Sequence, residues 1–179
     1  MKTLVIVAHP DIHKSVANKR WVEELGKYPE QFTVHNLHQA YPDGIIDVAR
    51  EQALVESHGN VVLQFPLYWF NCPPLLKKWL DDVLAYGWAY GTEGKSFRGR
   101  KVALAVTAGI RQSDFTAQGK WRVTLEQLLV PFEVTLTYIQ ADYQQFFSFY
   151  GAEDEVQDPA YASRVEQSAL EYVRFLSAL

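Results

Sequence analysis

Three short segments of this chain carry residue types that could do chemistry. The first is His9-Pro10-Asp11-Ile12-His13-Lys14-Ser15-Val16-Ala17-Asn18, which follows an apolar run. It holds neither G-x-G-x-x-G nor G-x-x-x-x-G-K-[ST], the glycine-rich phosphate fingerprints. It can still take a phosphate if Ser15 caps a helix, because the N–H groups of Val16, Ala17 and Asn18 then face outward at the positive helix end. His9 and Lys14 would add charge-assisted donors. The same residues also read as a plain serine cap and a strand-end histidine bonded to backbone.

The second segment is Pro66-Leu67-Tyr68-Trp69-Phe70-Asn71-Cys72. Three adjacent aromatics in a loop are poor solvent-facing material, since exposing such rings forfeits burial. Any one ring can be core, but neighbours in an extended loop cannot all point the same way, so at least one is expected to meet a flat ligand. Cys72 reads as a small buried hydrophobe rather than a nucleophile, because no histidine is paired with it. The third segment, Val106-Thr107-Ala108-Gly109-Ile110, offers a hydroxyl and a glycine that permits close backbone approach; a plain turn is its other reading. The loops after the first, third and fourth strands converge on one sheet edge. A phosphate grip, an aromatic wall and a polar glycine-bearing rim suit a phosphorylated planar ring, and flavin mononucleotide (FMN) has those features, with FAD the less economical fit. His-x-x-x-His and Cys-x-x-Cys pairs are absent, so no metal site is expected.

The elements that must position these segments alternate along the chain. Strands are expected at Thr3–Ala8, Phe32–Leu37, Val61–Phe65, Lys101–Thr107 and Tyr143–Phe149. The first, third and fourth are almost continuously apolar, as parallel strands covered on both faces must be. Helical periods run through Ala17–Tyr28, Leu75–Leu84, Leu125–Ile139 (through Pro131, hence kinked) and Tyr161–Leu176, with a weaker one over Asp47–Ser57. Five β-α pairs imply right-handed crossovers and an α/β fold: a doubly wound five-stranded parallel sheet, order 2-1-3-4-5, with its ligand crevice at the β1/β3 switch point. The long loops Gly87–Arg100 and Gly109–Gly119 are expected to be functional.

The whole chain fits one domain, residues 1–179. A net charge of -4 excludes a nucleic-acid footprint, and no apolar run approaches the roughly 18 residues of a spanning helix. The lone cysteine and the lack of a signal-like N-terminus point to the cytoplasm.

Several segments together resemble one family. They are Ala8-His9-Pro10, Ser15–Asn18, Tyr41–Asp47 (Y-P-D-x-x-I-D), Gln64–Trp69, Pro73–Trp79 (P-P-L-L-K-K-W), Gly87–Gly91 (G-W-A-Y-G) and Leu128–Glu133 (L-L-V-P-F-E). The chain is similar over nearly its full length to the flavodoxin-like NAD(P)H:quinone oxidoreductases, short bacterial branch. That branch holds general-stress NAD(P)H oxidoreductases and ancillary flavoproteins of glutathione-gated potassium efflux systems. The resemblance implies an FMN-dependent homodimer moving two electrons as hydride from NAD(P)H to a quinone or similar aromatic acceptor. It implies that His9, Ser15, Val16, Ala17 and Asn18 hold the flavin phosphate, that Leu67, Tyr68, Trp69 and Phe70 lie along the ring, and that Thr107, Ala108 and Gly109 border its polar edge. With no second nucleotide fingerprint, donor and acceptor are expected to alternate at one face, a ping-pong scheme. The loop Trp88–Tyr90 is expected to meet the partner subunit. The alternative function is an ancillary subunit docked on a potassium efflux transporter, which would sit peripheral to the inner membrane. The chain departs from the family at Thr107-Ala108-Gly109-Ile110, where T-T-G-G is usual, and in Gln112–Gly119, which offers Phe115 and no histidine.

Overall fold

The computed structural model describes all 179 residues. The three apolar runs become the strands β1 (Thr3–Val7), β3 (Asn60–Pro66) and β4 (Lys101–Thr107), and β2 (Phe32–Asn36) lies outside β1. The helices are α1 (Ala17–Leu25), α2 (Leu37–Ala40), α3 (Val48–Glu56), α4 (Pro74–Val83), α5 (Leu125–Tyr138) and α6 (Tyr161–Ser177). Two short strands, β5 (Asp142–Tyr143) and β6 (Phe147–Phe149), both pair in parallel with β4. The sheet order is β2-β1-β3-β4-β5, as expected, and all pairings are parallel.

The fifth strand differs from expectation. Lys101 pairs with Asp142, an offset of 41, whereas Ala105 pairs with Phe147, an offset of 42. One extra residue is therefore accommodated between Tyr143 and Phe147, the signature of a β-bulge. Tyr143 and Phe147 are four apart and would share a face in a regular strand. Instead they pack on opposite sides of the sheet. Other boundaries also move. Leu37 leaves β2 to start α2, whose N-cap Asn36 accepts from the amides of His38 and Gln39, and α1 stops before Tyr28. Helix α5 runs through Pro131 as one element.

Alternation on the central strands divides the interior. Leu4, Ile6, Leu63, Phe65, Leu104 and Val106 face α4 and α5, while Val5, Val7, Val62, Ala103 and Ala105 face α1 and α6. The small alanines of β4 leave room for Trp21 and Tyr172, whose ring centroids are 4.8 Å apart. Trp21 Nε1 donates to Ser168 Oγ at 2.9 Å, binding α1 to α6. Each such fully buried ring contributes about 1.5–3 kcal/mol.

The opposite face has a buried carboxylate. Glu51 on α3 is 0% exposed and accepts from Tyr41 Oη at 2.6 Å, His35 Nε2 at 2.8 Å and Trp79 Nε1 at 2.8 Å. Burial pushes its pKa up, but hydrogen bonds from His35, Tyr41 and Trp79 more than reverse this and hold the carboxyl below its ordinary range. A carboxyl with a depressed folded pKa contributes stability above its unfolded value and loses it as pH falls through the folded one. Glu51→Gln is therefore expected to lower unfolding free energy at pH 7 by about 2–4 kcal/mol. The gap should shrink as the pH drops below about 4; urea titrations at both pH values check this, and a gap independent of pH contradicts it.

Candidate functional site

The first loop enters α1 through a capped turn. Ser15 is extended (φ -76°, ψ 132°) and its Oγ accepts from Asn18 N at 3.1 Å, so the serine is the helix cap in geometry. Of the three amides expected to be free, Asn18's is thus satisfied internally. Those of Val16 and Ala17 have no backbone partner and remain at the positive end of the helix. His9 accepts from Asp11 N through Nδ1 at 3.1 Å, leaving its proton on Nε2. Burial and then the neighbouring His38 push its pKa down, with Asp11 opposing, so His9 is a neutral donor at neutral pH. Lys14 is drawn to Asp11, 2.8 Å away, in an exposed pair.

These residues do not share one cleft. Ser15 and Val16 line a groove of about 510 Å³ between α1 and α6. His9 lines a second, of about 530 Å³, together with Asn36 and His38. His13 and Lys19 border both. His38 Nδ1 is buried without a hydrogen-bond partner.

Asn18 and Thr107 correct the sequence expectation most clearly. Both are buried, at 1% and 3% exposure. Their side chains are spent on each other: Asn18 Nδ2 donates to Thr107 Oγ1 at 2.7 Å. Asn18 Oδ1 accepts from Gln64 Nε2 at 3.2 Å, and Gln64 Oε1 accepts from Tyr172 Oη at 3.2 Å. Both residues stand at the site as its framework, with side chains facing protein.

The aromatic loop is not extended. Leu67 N donates to Thr107 O at 2.8 Å, so the loops after β3 and β4 leave the sheet joined. Tyr68 and Asn71 then exchange backbone hydrogen bonds at 2.8 and 2.9 Å around a two-residue turn. Its central residues, Trp69 and Phe70, have φ of 48° and 61°. Those left-handed values belong to a turn normally built from Asn and Gly, because a Cβ costs about 1–2 kcal/mol there. Trp69 is 94% exposed, so no burial offsets its strain.

Phe70 meets Trp121 edge-on at 5.5 Å, and between them opens a cavity of about 290 Å³. Leu67, Trp69, Phe70, Ala108 and Gly109 line it, whereas Pro66, Tyr68 and Thr107 do not. A side chain at Gly109 would meet the end of the Glu153 side chain, whose Cδ lies 2.9 Å from the Cβ position, so Glu153 would have to swing aside. Ile110, Phe115, Trp121 and Glu153 complete the lining and were outside the expected set. Glu153 arrives because Gly151 (φ 73°) turns the chain after β6 and lets Ala152 and Glu153 donate to Ala108 O and Gly109 O, each at 3.0 Å. No local sequence signal marks that return. The largest groove, about 680 Å³ beside β6 and α6, contains none of the expected residues. Cys72 is buried and its thiol is pushed up in pKa by that burial, as suits a small hydrophobe. Trp88 is tied to its own chain, donating to Glu56 Oε1 at 2.7 Å.

A family model described as flavodoxin-like fold matches residues 1–173. The general stress protein 14 of Treponema denticola, solved in complex with FMN, superposes with a TM-score of 0.92 at 48% identity, covering 99% of each chain. The uncharacterised NAD(P)H oxidoreductase YrkL of Bacillus subtilis is 47% identical over 151 residues, 84% of this chain and 86% of its own. An NADPH-quinone reductase from P. pentosaceus has a TM-score of 0.86 at 25% identity, covering 100% of this chain and 99% of the other.

If the aromatic turn is strained, relaxing it stabilises the fold. Trp69→Asn places a residue tolerant of the left-handed region where no burial is lost, and should raise unfolding free energy by about 0.5–1 kcal/mol. Urea unfolding with an unchanged slope checks this; a loss of stability would refute the strain.

Proposed function

This chain belongs to the flavodoxin-like fold family, and from that premise we propose that it is an FMN-dependent NAD(P)H oxidoreductase delivering two electrons to a quinone or similarly flat acceptor. The observation that carries the reading is the strained, exposed turn at Trp69 and Phe70, set beside an apolar cavity and across the sheet edge from two uncompensated helix amides. An anionic tail and a flat ring match those two halves. The resemblance to an FMN-bound stress protein, a NAD(P)H oxidoreductase and a quinone reductase supports the same assignment.

When bound, FMN supplies the hydride chemistry; the chain supplies position and electrostatics. Val16 N–H, Ala17 N–H and the α1 dipole would take the phosphate. Ser15 Oγ already accepts from Asn18 N, so its own O–H remains free to donate. His9 would donate through Nε2–H without adding a charge. Leu67, Trp69 and Phe70 would cover the ring and exclude water, with Tyr68 flanking, while Ala108 and Gly109 let backbone come close. Neither histidine nor tyrosine lines the cavity.

The protein is expected to work as a homodimer. On α5, Val130, Val134 and Tyr138 recur every four residues and are all exposed, and Tyr138 packs against Tyr90 at 5.6 Å. A second copy over this stripe would bury its apolar side chains. A monomeric mass by light scattering at micromolar concentration would remove that role.

Two further outcomes follow from the site. Purified protein should bind FMN with a yellow spectrum and bind riboflavin at least tenfold more weakly, because the phosphate contacts at α1 are then lost. Equal affinities would place the phosphate elsewhere. With one exposed flavin face shared by donor and acceptor, initial-rate plots varying both substrates should give parallel lines; intersecting lines would require two simultaneous sites.

A further inference from the structure

The cavity beside Trp69 is lined almost wholly by apolar groups, with one exception. Glu153 is its single ionisable lining residue, and its carboxyl end rests against the open side of Gly109. Its backbone is pinned there by the hydrogen bond to Gly109 O. The carboxylate forms no ion pair, unlike Glu155, which binds Arg164 at 2.6 Å. The cation nearest in sequence, Arg164, binds Glu155 instead, and Lys120 lies over the Trp121 ring, 4.6 Å from its centroid.

We propose that Glu153, beside the cavity that would seat the flavin ring, sets the charge preference for the acceptor that stacks on that ring, admitting neutral or cationic planar aromatics and disfavouring those that carry a sulfonate or carboxylate on the ring. The proposal rests on the flavin oxidoreductase reading and names its substrate class. An unpaired carboxylate against apolar walls repels an anion more strongly than one in open water, because the walls displace screening solvent. Glu153 is nevertheless exposed on its outer side, which limits the effect to about tenfold in affinity. Shape alone does not discriminate here, since a sulfonate projects from the edge of a ring that stays flat.

The test uses FMN-loaded, oxidised protein and a matched pair of ligands: 2-methyl-1,4-naphthoquinone and 1,4-naphthoquinone-2-sulfonate. Dissociation constants are read from flavin fluorescence, and the ratio of the two is compared among wild type, Glu153→Gln and Glu153→Lys. Using the ratio cancels any general loss of binding in a variant. The neutral quinone should bind wild type about tenfold more tightly; the ratio should fall to near one in E153Q and invert in E153K. A ratio unchanged within twofold across the three proteins overturns the role of Glu153 while leaving the flavin reading intact. Failure of wild type to bind FMN at all shows instead as an absent visible spectrum, and overturns both.

Discussion

The hydrogen-bond relay Tyr172–Gln64–Asn18–Thr107 is the constraint on which the site depends. Gln64 stands in the central strand β3, fully buried among apolar side chains, where an unpaired amide costs about 1–3 kcal/mol. Its satisfaction fixes a direction. The tyrosine hydroxyl donates to the glutamine oxygen, the glutamine amide donates to the asparagine oxygen, and the asparagine amide donates to the threonine hydroxyl. Four elements (α6, β3, α1 and β4) are thereby held in mutual register at the carboxyl ends of the strands. The helix end suited to a phosphate and the loops suited to a ring lie on different elements, yet their separation is set by buried partners. Buried networks that are fully satisfied confer this kind of rigidity, and a preorganised site loses less entropy when it is filled.

The two faces of the sheet achieve stability differently. Toward α1 and α6, stacked aromatics occupy space left by Ala103 and Ala105. Toward α3 and α4, a carboxylate with three donors ties β2, the turn after α2 and α4 to one helix. That arrangement anchors the Tyr41–Asp47 segment, which has almost no regular structure of its own.

How much was legible in the sequence depends on what each residue's surroundings dictate. Strands β1, β3 and β4 are covered on both faces, so their composition alone betrays them. The order of the sheet follows from alternation and handedness. Leu37 and the fifth strand misled because edge positions are decided by caps and bulges that hydrophobic patterning does not encode. Asn18 was placed on the phosphate for its backbone amide and Thr107 at the ring edge for its hydroxyl, because the sequence does not reveal whether such a group's partner is ligand or protein. The turn at Trp69 and Phe70 was invisible for the opposite reason: its residues violate the preference by which such turns are recognised. Trp121 and Glu153 come from loops remote in sequence and meet the cavity only through tertiary contacts.

The bulge between Tyr143 and Phe147 has a consequence for how this scaffold tolerates change. Everything downstream on that ribbon, including Gly151 and the return of Glu153 toward β4, inherits a phase set by one surplus residue. Deleting one position from Gln144 to Phe146 would leave Tyr143 and Phe147 three apart, a spacing that in a regular ladder keeps them on opposite faces and Phe147 opposite Ala105. The surplus residue is therefore a place where descendants of this chain can lose one position without changing the side of the sheet that Phe147 and Phe149 occupy.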